Sequence, residues 1–251
     1  MQLTSPSCSI FLGGPWFVAI FQLPQKFQLV HGTSALQAGI RLMPLTFAAP
    51  FGSFASSTAA NRLKLPVVYL VLCSAILQTI GFSLLASLPK SSNVPPRMYG
   101  YQVIAGFGCG MNISNLILIV PFTVDYRDTG TCGTHQRGLR ERTRLTQRIA
   151  VGMGAVSQLR PMGGVITLAI ATSVFNGHVR PGLAQVLGRP LDSSHSILSA
   201  EFLAQLPPKQ LESAREVMAH GYNLQMIVLA AFAAVQIPAS LLLWRKKQIR
   251  L

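Results

Sequence analysis

Residues 66–88 read PVVYLVLCSAILQTIGFSLLASL, with no charged side chain anywhere in the run. A helix rises about 1.5 Å per residue, so a run of this length crosses the roughly 30 Å hydrocarbon core of a bilayer. Inside that core every backbone N–H and C=O must be satisfied within the chain, which makes a single continuous segment a helix. The stretch therefore predicts a transmembrane helix. The same reading works outward in both directions. Upstream, residues 8–24 and 42–60 form apolar blocks, the first taken to close at Pro24. Downstream lie 98–122, 151–175 and 221–244, the last ending at the basic cluster Arg245, Lys246 and Lys247. The expectation is an all-α membrane protein with one domain, a bundle of six transmembrane helices.

Composition agrees. Half of the 251 residues are hydrophobic and 11% are charged, against about 25% charged in a soluble domain. The mean hydropathy is +0.43. The net charge of +14 comes from 21 basic and 7 acidic residues, and these lie almost wholly between the apolar blocks. A nucleic-acid surface would cluster them on one face; here no basic face is interleaved with aromatics, so no nucleic-acid partner is expected. The lipid bilayer is the expected environment instead. Counting Lys and Arg by loop places both termini in the cytoplasm, with twelve basic residues on the inner side and eight on the outer. Residues 176–220 then form a long extracytoplasmic loop, in which Lys209 to Met218 reads either as a short surface helix or as irregular chain.

The opening residues Met1 to Ile10 carry no Lys or Arg. A secretory signal would begin with positive charge, so the first block is read as a retained span. The cysteines, Cys8, Cys73, Cys109 and Cys132, make no C-x-x-C pair. They read as small buried residues, with no disulfide or metal site implied. No nucleophile motif, local metal-ligand pattern or phosphate-binding glycine loop is present. The chain is accordingly not read as an enzyme, and no cofactor is expected.

Polar groups within spans are costly and often functional. Arg160 is the only charged residue inside a predicted span. It reads either as a contact for an anionic or polar substrate in a central cavity, or as a side chain that snorkels to the interface. Asn112 and Asn115 are three apart and share a helix face. They serve either a cavity or hydrogen bonds between helices. Gln158 is a further single polar group. Gly106 and Gly110, then Gly163 and Gly164, are small residues that allow close helix packing. All seven acidic residues, Asp125 and Glu216 among them, fall outside the predicted spans, so no buried acid is available as a proton relay.

Four stretches carry a family resemblance. Phe21-Gln22-Leu23-Pro24-Gln25-Lys26-Phe27-Gln28 is similar to a Pro-x-x-x-Gln span exit. Residues 32–44, GTSALQAGIRLMP, are similar to a G-x-S-x-x-x-A-G-x-R-L-x-P element, with Ala35 in place of a usual proline. Gly52-Ser53 through Asn61-Arg62 resembles a degenerate loop motif. Residues 150–164, AVGMGAVSQLRPMGG, resemble A-x-x-x-x-x-x-x-Q-x-R-x-x-G-G. Together they resemble the major facilitator superfamily, in its fungal fourteen-span drug:proton antiporter type, and in particular the C-terminal half of such a transporter. The resemblance implies two inverted three-helix repeats. It also implies efflux of small, hydrophobic molecules by alternating access, and a plasma-membrane rather than vacuolar location. By position it makes Arg160, Gln158, Asn112 and Asn115 substrate-cavity candidates.

Two departures follow. The N-terminal half of the family pattern is absent, so transport would need that half as a separate partner or self-association. The alternative is a truncated, non-transporting membrane fragment or a half-transporter subunit. Secondly, residues 130–149 interrupt the family pattern with Arg137, Arg140, Arg142, Arg144 and Arg148. They read as an insertion outside the family pattern, either translated intron or a basic helix touching anionic lipid.

Overall fold

The computed structural model describes residues 4–63, 66–89, 94–123, 135–188, 203 and 206–241. Among the described residues, six long helices follow one another: α1 (Thr4–Leu29), α2 (Ala35–Leu63), α3 (Val67–Ala86), α4 (Arg97–Thr123), α5 (His135–Leu187) and α6 (Pro208–Leu241). The described residues contain no strand. Within them, Val67–Ala86, Ser157–Leu187 and Pro208–Ser240 are long and apolar enough by themselves to cross a membrane.

The helices overrun the predicted spans, and the overruns correct several boundaries. Pro24 does not end the first helix. Both Pro15 and Pro24 lie inside α1, as Pro44 and Pro50 do inside α2. A proline removes one intrahelical hydrogen bond, and neighbouring helices, hydroxyl side chains and local adjustments satisfy the freed carbonyl in a membrane bundle. The stretch 176–220, expected to be a loop, is helical at both ends, since α5 continues to Leu187 and α6 begins at Pro208. The surface helix expected over Lys209–Met218 is the first part of α6. Of the 130–149 segment, residues 135–149 continue as helix into α5, while 130–134 lie outside the described residues. The basic tail after Trp244 lies outside them too.

One core joins all six helices. Leu23 and Phe27 of α1 meet Leu45 of α2, Phe82 and Leu85 of α3, Met98 of α4, Ala171 of α5 and Met226 and Leu229 of α6. A smaller cluster at one end joins Val30, just past α1, to Phe175, Val179 and Leu183 of α5 and Met218 and Tyr222 of α6. The turn out of α1 uses Gly32 at φ 63°, where a side chain would be strained. Thr33 closes that turn, its N–H and hydroxyl both donating to the Phe27 carbonyl.

The helix pairings repeat. Helix α1 packs on α5 as α4 packs on α2, and α3 packs on α4 as α6 packs on α1. Exchanging the first three helices with the last three maps these pairs onto one another, as expected of two three-helix repeats, whereas α5 packs on α6 far more extensively than α2 packs on α3. Glycines mark both principal seams. Gly106 and Gly110 of α4 lie on the backbone of Leu45 and Ala49 in α2, and Gly52 returns the contact against Phe107. In the matching seam, Gly13 of α1 lies on the Arg160 backbone, Gly14 lies on Thr167, and Gly164 of α5 lies on Phe17. A Cβ at Gly110 or Gly13 would collide with a neighbouring main chain, so these crossings exist because the residues are glycine.

Candidate functional site

Polar groups inside the bundle fall into two kinds, those engaged by another helix and those left open. The engaged kind dominates the α2–α4 seam. Ser53 Oγ donates to the Gly110 carbonyl at 2.7 Å. Ser56 Oγ donates to Asn115 Oδ1 at 2.6 Å, and Ser57 and Ser114 hydroxyls share a hydrogen bond of 2.7 Å. Asn112 Nδ2 donates to Gln236 Oε1 of α6 at 3.0 Å. Gln78 Nε2 of α3 donates to the Gly108 carbonyl. Small hydroxyls and amides here act as interhelical hydrogen bonds.

A second engaged group was not legible as such. Lys26, read as a loop residue, is 4% exposed. Its Nζ donates to Asn223 Oδ1 of α6 at 2.9 Å, and Asn223 Nδ2 donates to the Leu88 carbonyl beyond the end of α3. One lysine thus ties three helices together at the end of the bundle that holds the α1–α2 turn. The signal available in the sequence was Asn223, a polar residue in the last span whose partner could not be named from it.

The open kind lies on the α1–α5 side. Arg160 is half-buried, and its Nε is enclosed with no hydrogen-bond partner among the described residues. It sits within electrostatic reach of Cys109 on α4, one turn from Asn112. Nearer the opposite end, Gln22 Nε2 of α1 approaches Thr172 Oγ1 of α5 at a long 3.4 Å. Along α5 runs an open groove of about 770 Å³, lined by Val165, Leu168, Ala169, Thr172, Ser173, Asn176, Gly177 and Arg180. Its first residues are apolar and its later ones polar. Ser157, Gln158, Ser173 and Arg180 are exposed on the same helix, beside exposed Met162, Val165, Ile166 and Ile170.

The structure engages the four sequence-predicted cavity residues in different ways. Asn112 and Asn115 are held by α6 and α2, Gln158 is exposed on α5, and Arg160 lies between α1, α4 and α5. Of the packing glycines, Gly106, Gly110 and Gly164 lie against neighbouring helices, while Gly163 is buried and its carbonyl accepts from the Thr167 hydroxyl. Thr172, Ser173, Asn176 and Arg180 went unsingled in the sequence. Their i, i+1, i+4, i+8 spacing on a membrane helix was the signal that could have found them.

Comparison with known proteins sets this helical bundle beside membrane transporters. No family model matches the chain. A bacterial homologue of the human lysosomal transporter Spinster, solved inward-facing and unoccupied, superposes with a TM-score of 0.58 at 17% identity, covering 98% of this chain and 49% of that one. The MFS-type transporter FPY5 of Fusarium mangiferae is 31% identical over 233 residues, 93% of this chain and 36% of the relative. The thioclapurine efflux transporter tcpA of Claviceps purpurea is 26% identical over 210 residues, 82% of this chain and 34% of the relative. The chain belongs to the major facilitator superfamily and is an integral membrane protein. It spans about a third of the length of these curated relatives.

Proposed function

We propose that the chain is the C-terminal half of an efflux transporter for small, hydrophobic molecules, with its α1–α5 side turned to the translocation pathway. One observation carries the reading. The α5 groove is lined by Thr172, Ser173, Asn176 and Arg180, of which Ser173 and Arg180 are exposed and Thr172 and Asn176 half-buried. Hydrocarbon does not solvate such groups, so the face belongs against water, substrate or a second bundle. Its apolar portion, Val165, Leu168 and Ala169, supplies contact area for a hydrophobic substrate. Arg160, enclosed deeper on the same side, supplies a fixed positive charge. The relatives' names support transport rather than catalysis, and several are efflux pumps.

The other wall of the pathway comes from an N-terminal half, with self-association of this chain as the competing arrangement. The basic loops support cytoplasmic termini, and the resemblance supports the plasma membrane. The test is co-expression in a yeast strain stripped of its own pumps. Rhodamine 6G accumulation is measured with this chain alone, with the N-terminal half of FPY5 alone, and with both. Lowered accumulation only when both are present is the expected result. Unchanged accumulation with both halves at the plasma membrane overturns the reading. Efflux by this chain alone overturns the need for a separate half.

A further inference from the structure

We propose that His178 and His220 form a binding site for a borderline divalent transition-metal ion of the Zn²⁺ type, bridging α5 to α6. The two imidazoles face each other across the helix pair, His220 Nδ1 lying 2.6 Å from His178 Nε2. The rings meet edge to face, with centroids 4.4 Å apart and planes at 71°. Both side chains are half-buried, which leaves solvent access to complete a coordination shell. Imidazole nitrogen is the commonest protein donor for such ions.

The frame around the pair is antiparallel and tight. Gly182 of α5 lies on Val217 of α6, and Gly221 lies on Val179 and Phe175. The Phe175 and Tyr222 rings pack at 4.6 Å. These contacts flank the histidines on both sides along the crossing and hold the two helices close where the imidazoles meet. A tetrahedral ion with Zn–N bonds of about 2.0–2.1 Å separates two donor nitrogens by about 3.3 Å. The existing gap needs to widen by only about 0.7 Å, within reach of side-chain torsions. No group of three His, Cys, Asp or Glu converges among the described residues. Water therefore fills the remaining positions, and the ion is exchangeable rather than structural. The proposal stands apart from the transport reading and uses none of its residues.

The test uses the full chain in detergent, stripped with chelator and titrated with zinc chloride at fixed pH. One Zn²⁺ per chain is expected, with affinity falling at least about tenfold in H178N and in H220N and holding in H31N. Absence of binding, or binding retained in the H178N/H220N double variant, overturns the site. A second measurement needs no variant. Diethylpyrocarbonate labelling of the unmodified chain, mapped by mass spectrometry, should show Zn²⁺ protecting His178 and His220 selectively. Equal labelling of both with and without Zn²⁺ overturns it as well.

Discussion

The α2–α4 and α1–α5 seams occupy matching places in the two three-helix repeats, yet they differ in how polar groups are treated. In α2–α4, glycines bring main chains into contact and serines close the gap, with Ser53, Ser56 and Ser57 each bonded to α4. In α1–α5 the glycines are present too, with one long side-chain hydrogen bond between the helices among the described residues, Gln22 to Thr172 at 3.4 Å. Each seam keeps enclosed polar atoms without a partner among the described residues, Asn112 Oδ1 and Asn115 Nδ2 on α4 and Arg160 Nε on α5. The difference teaches that a polar residue in a membrane helix is not by itself a functional signal. Whether a neighbouring helix has already engaged it decides the matter.

Three substitutions press on that contrast. The largest effect is expected from Gly110→Leu, which drives a side chain into the Ala49 main chain. Overpacking costs about 1–3 kcal/mol, and more when backbone must move. Thermal unfolding in detergent should show a large loss and size-exclusion chromatography a loss of monodisperse protein. A stable Gly110→Leu protein would mean the seam is looser than described. A smaller effect is expected from Asn115→Ala, which strands the Ser56 hydroxyl. Interhelical hydrogen bonds in membranes average about 0.6 kcal/mol, and a double-mutant cycle with Ser56→Ala should return a coupling of that order. Zero coupling would remove the bond from the account. The smallest stability change is expected from Arg160→Gln. A half-buried arginine whose enclosed Nε has no hydrogen-bond partner among the described residues contributes little to the fold, so melting should stay within about 0.5 kcal/mol of the parent or rise. Export by the assembled transporter should fall sharply at normal expression. Unchanged export would take Arg160 out of the pathway.

The same contrast shows what was legible beforehand. The charge-free run of α3 needs no neighbour to be understood, and neither do Gly106 and Gly110 as places of close approach. Periodicity and composition report what a residue is, not what lies beside it. Asn112 finds Gln236 124 positions away, and His178 finds His220 42 positions away. Only the folded bundle supplies those pairs. Pro24 and Lys26 misled for a related reason. Both are stop signals for a helix meeting water, whereas here the neighbouring helices accommodate the proline and Asn223 receives the lysine. The groove on α5 escaped notice because Thr172, Ser173 and Asn176 are individually unremarked residues, and their shared exposure is a property of packing.

The most direct test compares the two seams in a membrane. With native cysteines replaced by serine, single cysteines are placed at Ser173 on the α5 face and at Ser56 in the α2–α4 seam, in the chain co-expressed with an N-terminal half. The cells are then treated with a membrane-impermeant, charged methanethiosulfonate reagent. Rapid labelling at Ser173→Cys with none at Ser56→Cys is the predicted result. Labelling at position 173 only by a lipid-soluble maleimide would place that face in hydrocarbon and contradict the account.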